Sequence, residues 1–207
     1  MKKLCIFGSG SFAQEVYWLA KQCNREVDAF IDIKSDGYWY DAKIESEDYF
    51  DPSKHEAIVA VANPKIREKI VHQIQNRFGM SCFTTLISPS ANLMADNIVI
   101  GPGSIICANC IITCDVALGF HTQLNLATTI GHNTKVGDYF TTAPGVHISG
   151  KVLAGHRVYM GTNSSTIEGL QIIDDITIGA GACVIKDLLE SGTYVGIPAK
   201  KMEKRNE

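Results

Sequence analysis

The sequence predicts a two-part chain: a small α/β domain over residues 1–82, followed over 83–207 by a parallel β-helix. Three observations carry the prediction. An apolar residue returns every six positions from Met94 to Val184. Before Pro89, short apolar runs alternate with segments of helical period. The change between these patterns is abrupt, so one architecture does not cover both halves.

The six-residue period comes first. Its positions are Met94, Ile100, Ile106, Ile112, Leu118, Leu124, Ile130, Val136, Thr142, Ile148, Ala154, Met160, Thr166, Ile172, Ile178 and Val184. Fourteen of these sixteen are apolar, where a hydrophobic content of 45% would give about seven. No α-helix has a period of six and an ordinary strand has a period of two. A hexapeptide is one short strand plus one turn, and three of them close a triangular coil of about eighteen residues. Inward side chains then stack in columns, burying what no single coil could bury. Four residues after the inward position a small or β-branched residue recurs, as in Ser104, Cys110, Val116, Thr122 and Thr128. Glycine often follows the inward residue directly, as at Gly119, Gly131 and Gly137, and this predicts glycine relieving the backbone at the corners.

In the first part, Leu4–Phe7, Val27–Ile31 and Ala57–Ala62 read as strands, the last continuously apolar as in a sheet covered on both faces. Val16, Tyr17, Leu19 and Ala20 fall at helical spacing, as do Ile66, Ile70, Val71 and Ile74 after the break at Asn63-Pro64. This is a βαβ-type domain with a parallel sheet. Residues 34–54 show no clear period and read as mostly loop.

Composition narrows the function. A net charge of −3 gives no electrostatic reason for nucleic acid or anionic membrane as partner. No apolar run reaches the roughly 18 residues of a membrane span. Seven cysteines without framework spacing suit a reducing compartment, and the cytoplasm is the expected location. Cys107, Cys110 and Cys114 occupy three different positions of the repeat, only Cys110 inward, so no metal is expected there.

Gly8-Ser9-Gly10-Ser11-Phe12-Ala13 follows a strand and opens a helix, a context for close backbone approach and anion binding at the helix end. Asp32 falls near the usual ribose-contact spacing from it. A dinucleotide-dependent oxidoreductase would also use such a loop, but about 80 residues cannot supply its full six-stranded sheet.

Leu4–Ala13 (LCIFGSGSFA), Ser88-Pro89-Ser90-Ala91, Ile130-Gly131-His132-Asn133 and Val195-Gly196-Ile197-Pro198-Ala199-Lys200 resemble the sugar acetyltransferases of bacterial surface-glycan synthesis. Within them the chain is similar to N-acetyltransferases of nucleotide-linked 4-amino-4,6-dideoxy sugars, of the viosamine and bacillosamine pathway kind, with sialic acid O-acetyltransferases as near relatives. The resemblance implies a left-handed β-helix, a Rossmann-like nucleotide-sugar-binding domain, acetyl-CoA as co-substrate, no metal, and a homotrimer with active sites between adjacent β-helices.

Acetyl transfer to an amine needs a proton acceptor and donors that stabilise a tetrahedral oxyanion. An imidazole can accept a proton at neutral pH. His132 projects outward by its register, and the resemblance gives it the role of base. Cys114, His132, Gly150 and Glu168 form one outward column eighteen residues apart, and the resemblance implies that the Gly150 N–H meets the acetyl carbonyl oxygen. Two departures stand out. Relatives place an acid after the histidine where this chain has Asn133, and some carry a second histidine near the acetyl group where it has Thr141. An amide fixes a tautomer but cannot stabilise an imidazolium by charge, which favours an amine over a hydroxyl nucleophile. The resemblance also implies cofactor contacts at Thr141, Gly150, Thr162, Ala180 and Lys200. For the nucleotide sugar it implies Gly8, Gly10, Ser11, Phe12, Asp32 and Asn63. His121, His147 and His156 occupy other repeat positions without His-x4-His spacing and read as ordinary histidines. Two alternatives stay open: O-acetylation of a sugar hydroxyl, and a non-catalytic nucleotide-sugar-binding scaffold.

Overall fold

A computed structural model describes residues 2–34 and 36–203. The amino-terminal part is a five-stranded sheet flanked by two helices. Its elements are β1 (Lys3–Phe7), α1 (Ser11–Gln22), β2 (Val27–Ile31), β3 (Tyr38–Trp39), β4 (Ala42–Glu45), β5 (His55–Val59) and α2 (Pro64–Phe78). The strand order is β3-β4-β2-β1-β5, parallel except for β3 against β4. Strand side chains alternate between two faces. Leu4, Ile6, Phe30 and Ile58 pack with Ala13, Val16 and Tyr17 of α1. Cys5, Phe7, Ala57 and Val59 pack with Val71 and Ile74 of α2.

Strand β4 lies within the stretch that reads as loop in the sequence. Ala42 and Ile44 are buried and Lys43 is exposed. Four residues at the side of a sheet give too short an alternation to register as a period. Asn63 starts α2, its side chain accepting from the N–H groups of Lys65 and Ile66, with Pro64 preset at the first helical position.

From Leu86 the chain winds into a coil with three walls of two- to four-residue parallel strands. The first wall runs from Leu86–Ile87 through Ile105–Ile106, Gln123–Leu124, Thr141–Thr142 and Tyr159–Met160 to Ile176–Ile178 and Gly192–Val195. The second runs from Asn92–Leu93 through Thr129–Ile130 and His147–Ile148 to Cys183–Val184, and the third from Val99–Ile100 to Gln171–Ile172. From Val99 to Val184 partners stand eighteen residues apart, as in Lys135 with Leu153 and Thr129 with His147. From Ile106 to Val184 every sixth residue is buried, Thr142 and Thr166 included.

Two expectations need correction. Met94 is 61% exposed because the first coil holds an extra residue: Ile112 pairs with Leu93, whereas Leu118 pairs with Ile100. The strict register therefore begins one position later, at Ile100. The corner glycines, in turn, are not there for backbone freedom. The left-handed conformation falls two residues further on, and non-glycine residues adopt it at Asn109, Asp115, His121, Ala127, Asn133 and Tyr139. The glycines serve close approach instead: a Cβ on Gly119 would lie 2.5 Å from the Gly137 carbonyl carbon of the next coil.

The amino-terminal part docks on the first wall and the corner leading into it. Arg67 of α2 is fully buried there, with no carboxylate partner among the described residues. Its guanidinium donates to the carbonyls of Val61, His121 and Tyr139, to Gln123 Oε1 and to Thr141 Oγ1. Burial lowers its pKa from the ordinary arginine value. Gln123 adds a bond to the Val59 carbonyl, and Arg157 pairs with Asp175 and with Glu68 of α2.

Beside Arg67, His121 is 1% exposed and neither ring nitrogen has a partner among the described residues. The ring stacks on Tyr139 at 5.6 Å and meets the edge of Phe83 at 4.6 Å. Burial, helped by the Arg67 cation, pushes its pKa down to about 4. The folded state holds the neutral ring, while an unfolded chain protonates it below about 6.5. This contribution is complete above pH 6.5 and is lost as pH falls toward 4, for a total of about 3 kcal/mol. In urea titrations across that window, wild type should lose about this much more stability than His121→Asn, whose side chain tolerates the left-handed backbone. Equal losses would refute the assignment.

Candidate active site

The second wall delivers Thr129 and Ile130 to a corner, where Gly131 lets successive coils close up. A Cβ on Gly131 would lie 2.5 Å from the Gly150 nitrogen. His132 follows, exposed, and Asn133 turns the corner in the left-handed conformation at φ 59°, which asparagine tolerates well. The Asn133 side chain then folds back so that Oδ1 lies 2.9 Å from His132 Nδ1. An amide oxygen only accepts, so Nδ1 carries the proton and Nε2 keeps an open lone pair.

The corner backbone links Cys114, His132, Gly150 and Glu168 into a column. Asn133 donates to the Cys114 carbonyl at 3.0 Å, Lys151 to that of His132 at 2.7 Å and Gly169 to that of Gly150 at 2.9 Å. Gly150 is buried directly beside the imidazole: a Cβ there would lie 2.6 Å from Nε2. Its own N–H has no acceptor among the described residues. A proton acceptor and a free backbone donor thus stand side by side, the pair that acyl transfer to a nucleophile uses. Glu168 lies above, ion-paired with Lys151 at 2.9 Å, and this lysine holds its carboxyl below the usual range.

Gly150→Ala should therefore cost tenfold to a hundredfold in turnover, since displacing a reacting group by about 1 Å has that effect. Its backbone is not in the left-handed region, so the urea midpoint should barely move. Wild-type turnover from this variant would show that the space is not used.

A second candidate lies in the amino-terminal part, a crevice of about 250 Å³ at the carboxyl ends of the strands, lined by Gly8, Asp32, Glu47, Val61 and Ile70 among others. Gly8 has φ +107°, and a Cβ there would press on the Ala60 carbonyl oxygen at 3.1 Å, so only glycine fits. Asp32 accepts from the Ser9 N–H at 2.8 Å and the Ser9 hydroxyl at 2.6 Å. Ser9 is missing from the sequence-derived set because, as a variable position between two glycines, it carries no pattern of its own. Gly10 caps α1 and Ser11, its first residue, is exposed. Phe12 packs, half-buried, against the core under α1 and does not line the crevice. Asn63 lies beyond it, its side-chain Oδ1 committed to capping α2.

The remaining expected residues lie apart from His132. Thr141 is 2% exposed on the first wall, under the amino-terminal part, with its hydroxyl bonded to Arg67; this corrects the expectation that it meets a cofactor. The sequence reading missed Arg67, since a lone arginine in an amphipathic helix reads as surface. Thr162 and Ala180 are exposed and stacked at the corner between the first and second walls, linked by the Gly181 N–H to the Thr162 carbonyl at 2.8 Å. Lys200 is exposed on a short strand pairing antiparallel with Gly192–Val195. Among the described residues no cluster of three or more His, Cys, Asp or Glu side chains could hold a metal ion, and no helix is long and apolar enough to cross a membrane.

His132 leaves the prism at the corner between the second and third walls, and the crevice is docked on the first. A prism corner faces away from the opposite wall, so the two candidates of one chain do not share a cleft.

Residues 3–74 match the model of the PglD N-terminal domain. Over 123 residues the chain is 30% identical to GDP-perosamine N-acetyltransferase of Escherichia coli, covering 59% of this chain and 54% of that protein. Serine acetyltransferase of Helicobacter pylori is 30% identical over 97 residues, 43% of this chain and 57% of that enzyme. The chain thus spans about half the length of the curated relatives it matches. Among solved structures, the acetyltransferase domain of PglB from Neisseria gonorrhoeae superposes with a TM-score of 0.90 at 25% identity, over 98% of this chain and 100% of that one. A variant of perosamine N-acetyltransferase from Caulobacter crescentus, solved with CoA and GDP-perosamine, superposes at 0.92 and 23% identity, over 99% and 98%.

The fold is that of the hexapeptide-repeat acetyltransferases. Within that class, the perosamine enzymes among the proteins this chain resembles are N-acetyltransferases of a nucleotide-linked sugar.

Proposed function

We propose that the protein transfers the acetyl group of acetyl-CoA to the 4-amino group of a nucleotide-linked 4-amino-4,6-dideoxy sugar, in surface-glycan synthesis. The observation carrying this reading is the His132–Asn133–Gly150 cluster: an imidazole with Nε2 open, held through Nδ1, beside an unengaged backbone N–H. The sugar amine attacks the thioester carbonyl and His132 Nε2 takes the proton that the amine sheds. The Gly150 N–H donates to the developing oxyanion. As the C–S bond breaks, the imidazolium returns its proton to the CoA thiolate, leaving amide and thiol with no covalent enzyme intermediate. Asn133 orients the ring without adding charge.

The finer architecture follows the same reading: a Rossmann-like domain over 1–82 takes the nucleotide, and a left-handed β-helix over 83–207 carries the chemistry. Because crevice and imidazole lie on opposite sides of one chain, the working unit is a homotrimer in which one subunit presents the sugar to the His132 of its neighbour. Gly8, Gly10, Ser11 and Asp32 hold the nucleotide, with Asn63 near the sugar; Thr162, Ala180 and Lys200 line the path of CoA. The location is the cytoplasm, where acetyl-CoA is made.

Following CoA thiol release with a nucleotide-linked 4-amino sugar and, separately, with a sialic acid tests the reaction. Turnover of the amine is expected. Turnover of the hydroxyl acceptor alone would reassign the protein to O-acetylation, and turnover of neither would leave only a scaffold.

A further inference from the structure

We infer that the amino-terminal crevice selects a guanine nucleotide, with Glu47 as the residue that reads the base; this rests on the nucleotide-sugar reading above. Along the carboxyl edge of the sheet, Val61 lies beyond β5, Gly8 beyond β1, Asp32 beyond β2, and Ser46 and Glu47 beyond β4. The Asp32 N–H donates to the Glu45 carbonyl at 3.0 Å, which ties the last two stations together. Adjacent strands stand about 4.8 Å apart, so the line from β5 to β4 spans roughly 14 Å, the reach of a nucleoside diphosphate. With the phosphates at the glycine loop and the ribose at Asp32, the base arrives at the Glu47 end of a crevice whose lining includes the apolar side chains of Ile31 and Ile70.

The polar groups at that end decide which base fits. Guanine presents two adjacent donors, N1–H and the 2-amino group, beside the O6 acceptor. Uracil and thymine present one donor between two acceptors. A carboxylate only accepts, so Glu47 can take both guanine donors, while against a pyrimidine one of its oxygens would face a carbonyl. The Ser46 hydroxyl, next to Glu47, and the Gln73 amide, which also lines the crevice, supply donors for O6. Glu47 is supported from outside the crevice by Arg77, whose Nη1 stands 3.2 Å from Oε1. Sites that hydrogen-bond a particular pattern discriminate against a ligand that mismatches it, here once the bound base itself covers the half-exposed Glu47.

Calorimetric titration of GDP, IDP, UDP and dTDP tests the inference. Wild type should bind GDP at least tenfold more tightly than UDP or dTDP, with IDP, which lacks the 2-amino group, in between. Glu47→Gln should lose most of that preference by weakening GDP while leaving UDP and dTDP within about twofold. Arg77→Gln removes the ion pair but keeps the carboxylate, and should keep the preference. UDP or dTDP binding as tightly as GDP would overturn the inference alone, as would an equal loss for all nucleotides in Glu47→Gln. Failure of every diphosphate to bind would overturn the nucleotide-sugar reading with it.

Discussion

Replacing His132 by alanine is expected to lower turnover at least roughly a hundredfold, the typical worth of a general base. The side chain is exposed on an outward corner and its one hydrogen bond is to its neighbour Asn133, so the urea midpoint should not change. Acetyl-CoA binding, measured by calorimetry, should also survive, since the loss concerns a proton and not a contact surface. His132→Gln keeps a polar side chain of similar reach but cannot carry the proton, so it should be equally impaired. More than half of wild-type activity in either variant would remove His132 from the chemistry and leave the column as architecture.

The largest stability effect should come from Arg67→Met. The guanidinium satisfies carbonyls of both parts of the chain in a place that water does not reach. Methionine fills much of the volume and returns none of those bonds. Stranding buried acceptors in this way costs roughly 3–5 kcal/mol, a large share of the stability of an ordinary domain. Lysine should not rescue, because one ammonium cannot reach the separated acceptors that a planar fork spans. Urea unfolding of the two variants measures this directly. A loss under about 1 kcal/mol would mean that the two parts dock mainly through their apolar contacts and the Arg157 pairs.

The coil was legible because its period is long and regular: an apolar residue every six positions has no competing reading among helices and strands. Met94 shows the limit of that legibility. One extra residue before Val99 leaves the apolar pattern intact while shifting the pairing, and an apolar side chain at the open end of a coil looks the same in sequence as a buried one. The His132–Gly150 column follows from arithmetic on the same period, and in the fold the two residues stand in contact range. Arg67, Ser9 and the burial of Thr141 were not legible. Each depends on a contact between distant segments, where the sequence offers only a solvated-looking arginine, a serine between glycines and a threonine in an unremarkable strand. The expected role for the corner glycines failed for a related reason: residue type marks where glycine is needed, but only the next coil says why.

The constant rung spacing also restricts how such a chain can change length. Adding one hexapeptide between His132 and Gly150 would leave every inward column filled and the molecule well packed, yet it would carry the glycine a third of the way around the prism. Insertions in whole circuits would restore its direction but not its nearness. Circuits added elsewhere keep that pair together, but between His121 and Thr141 they would also pull apart the groups that Arg67 binds, so the protein behaves like a dial with three faces on which growth is barred between fixed marks.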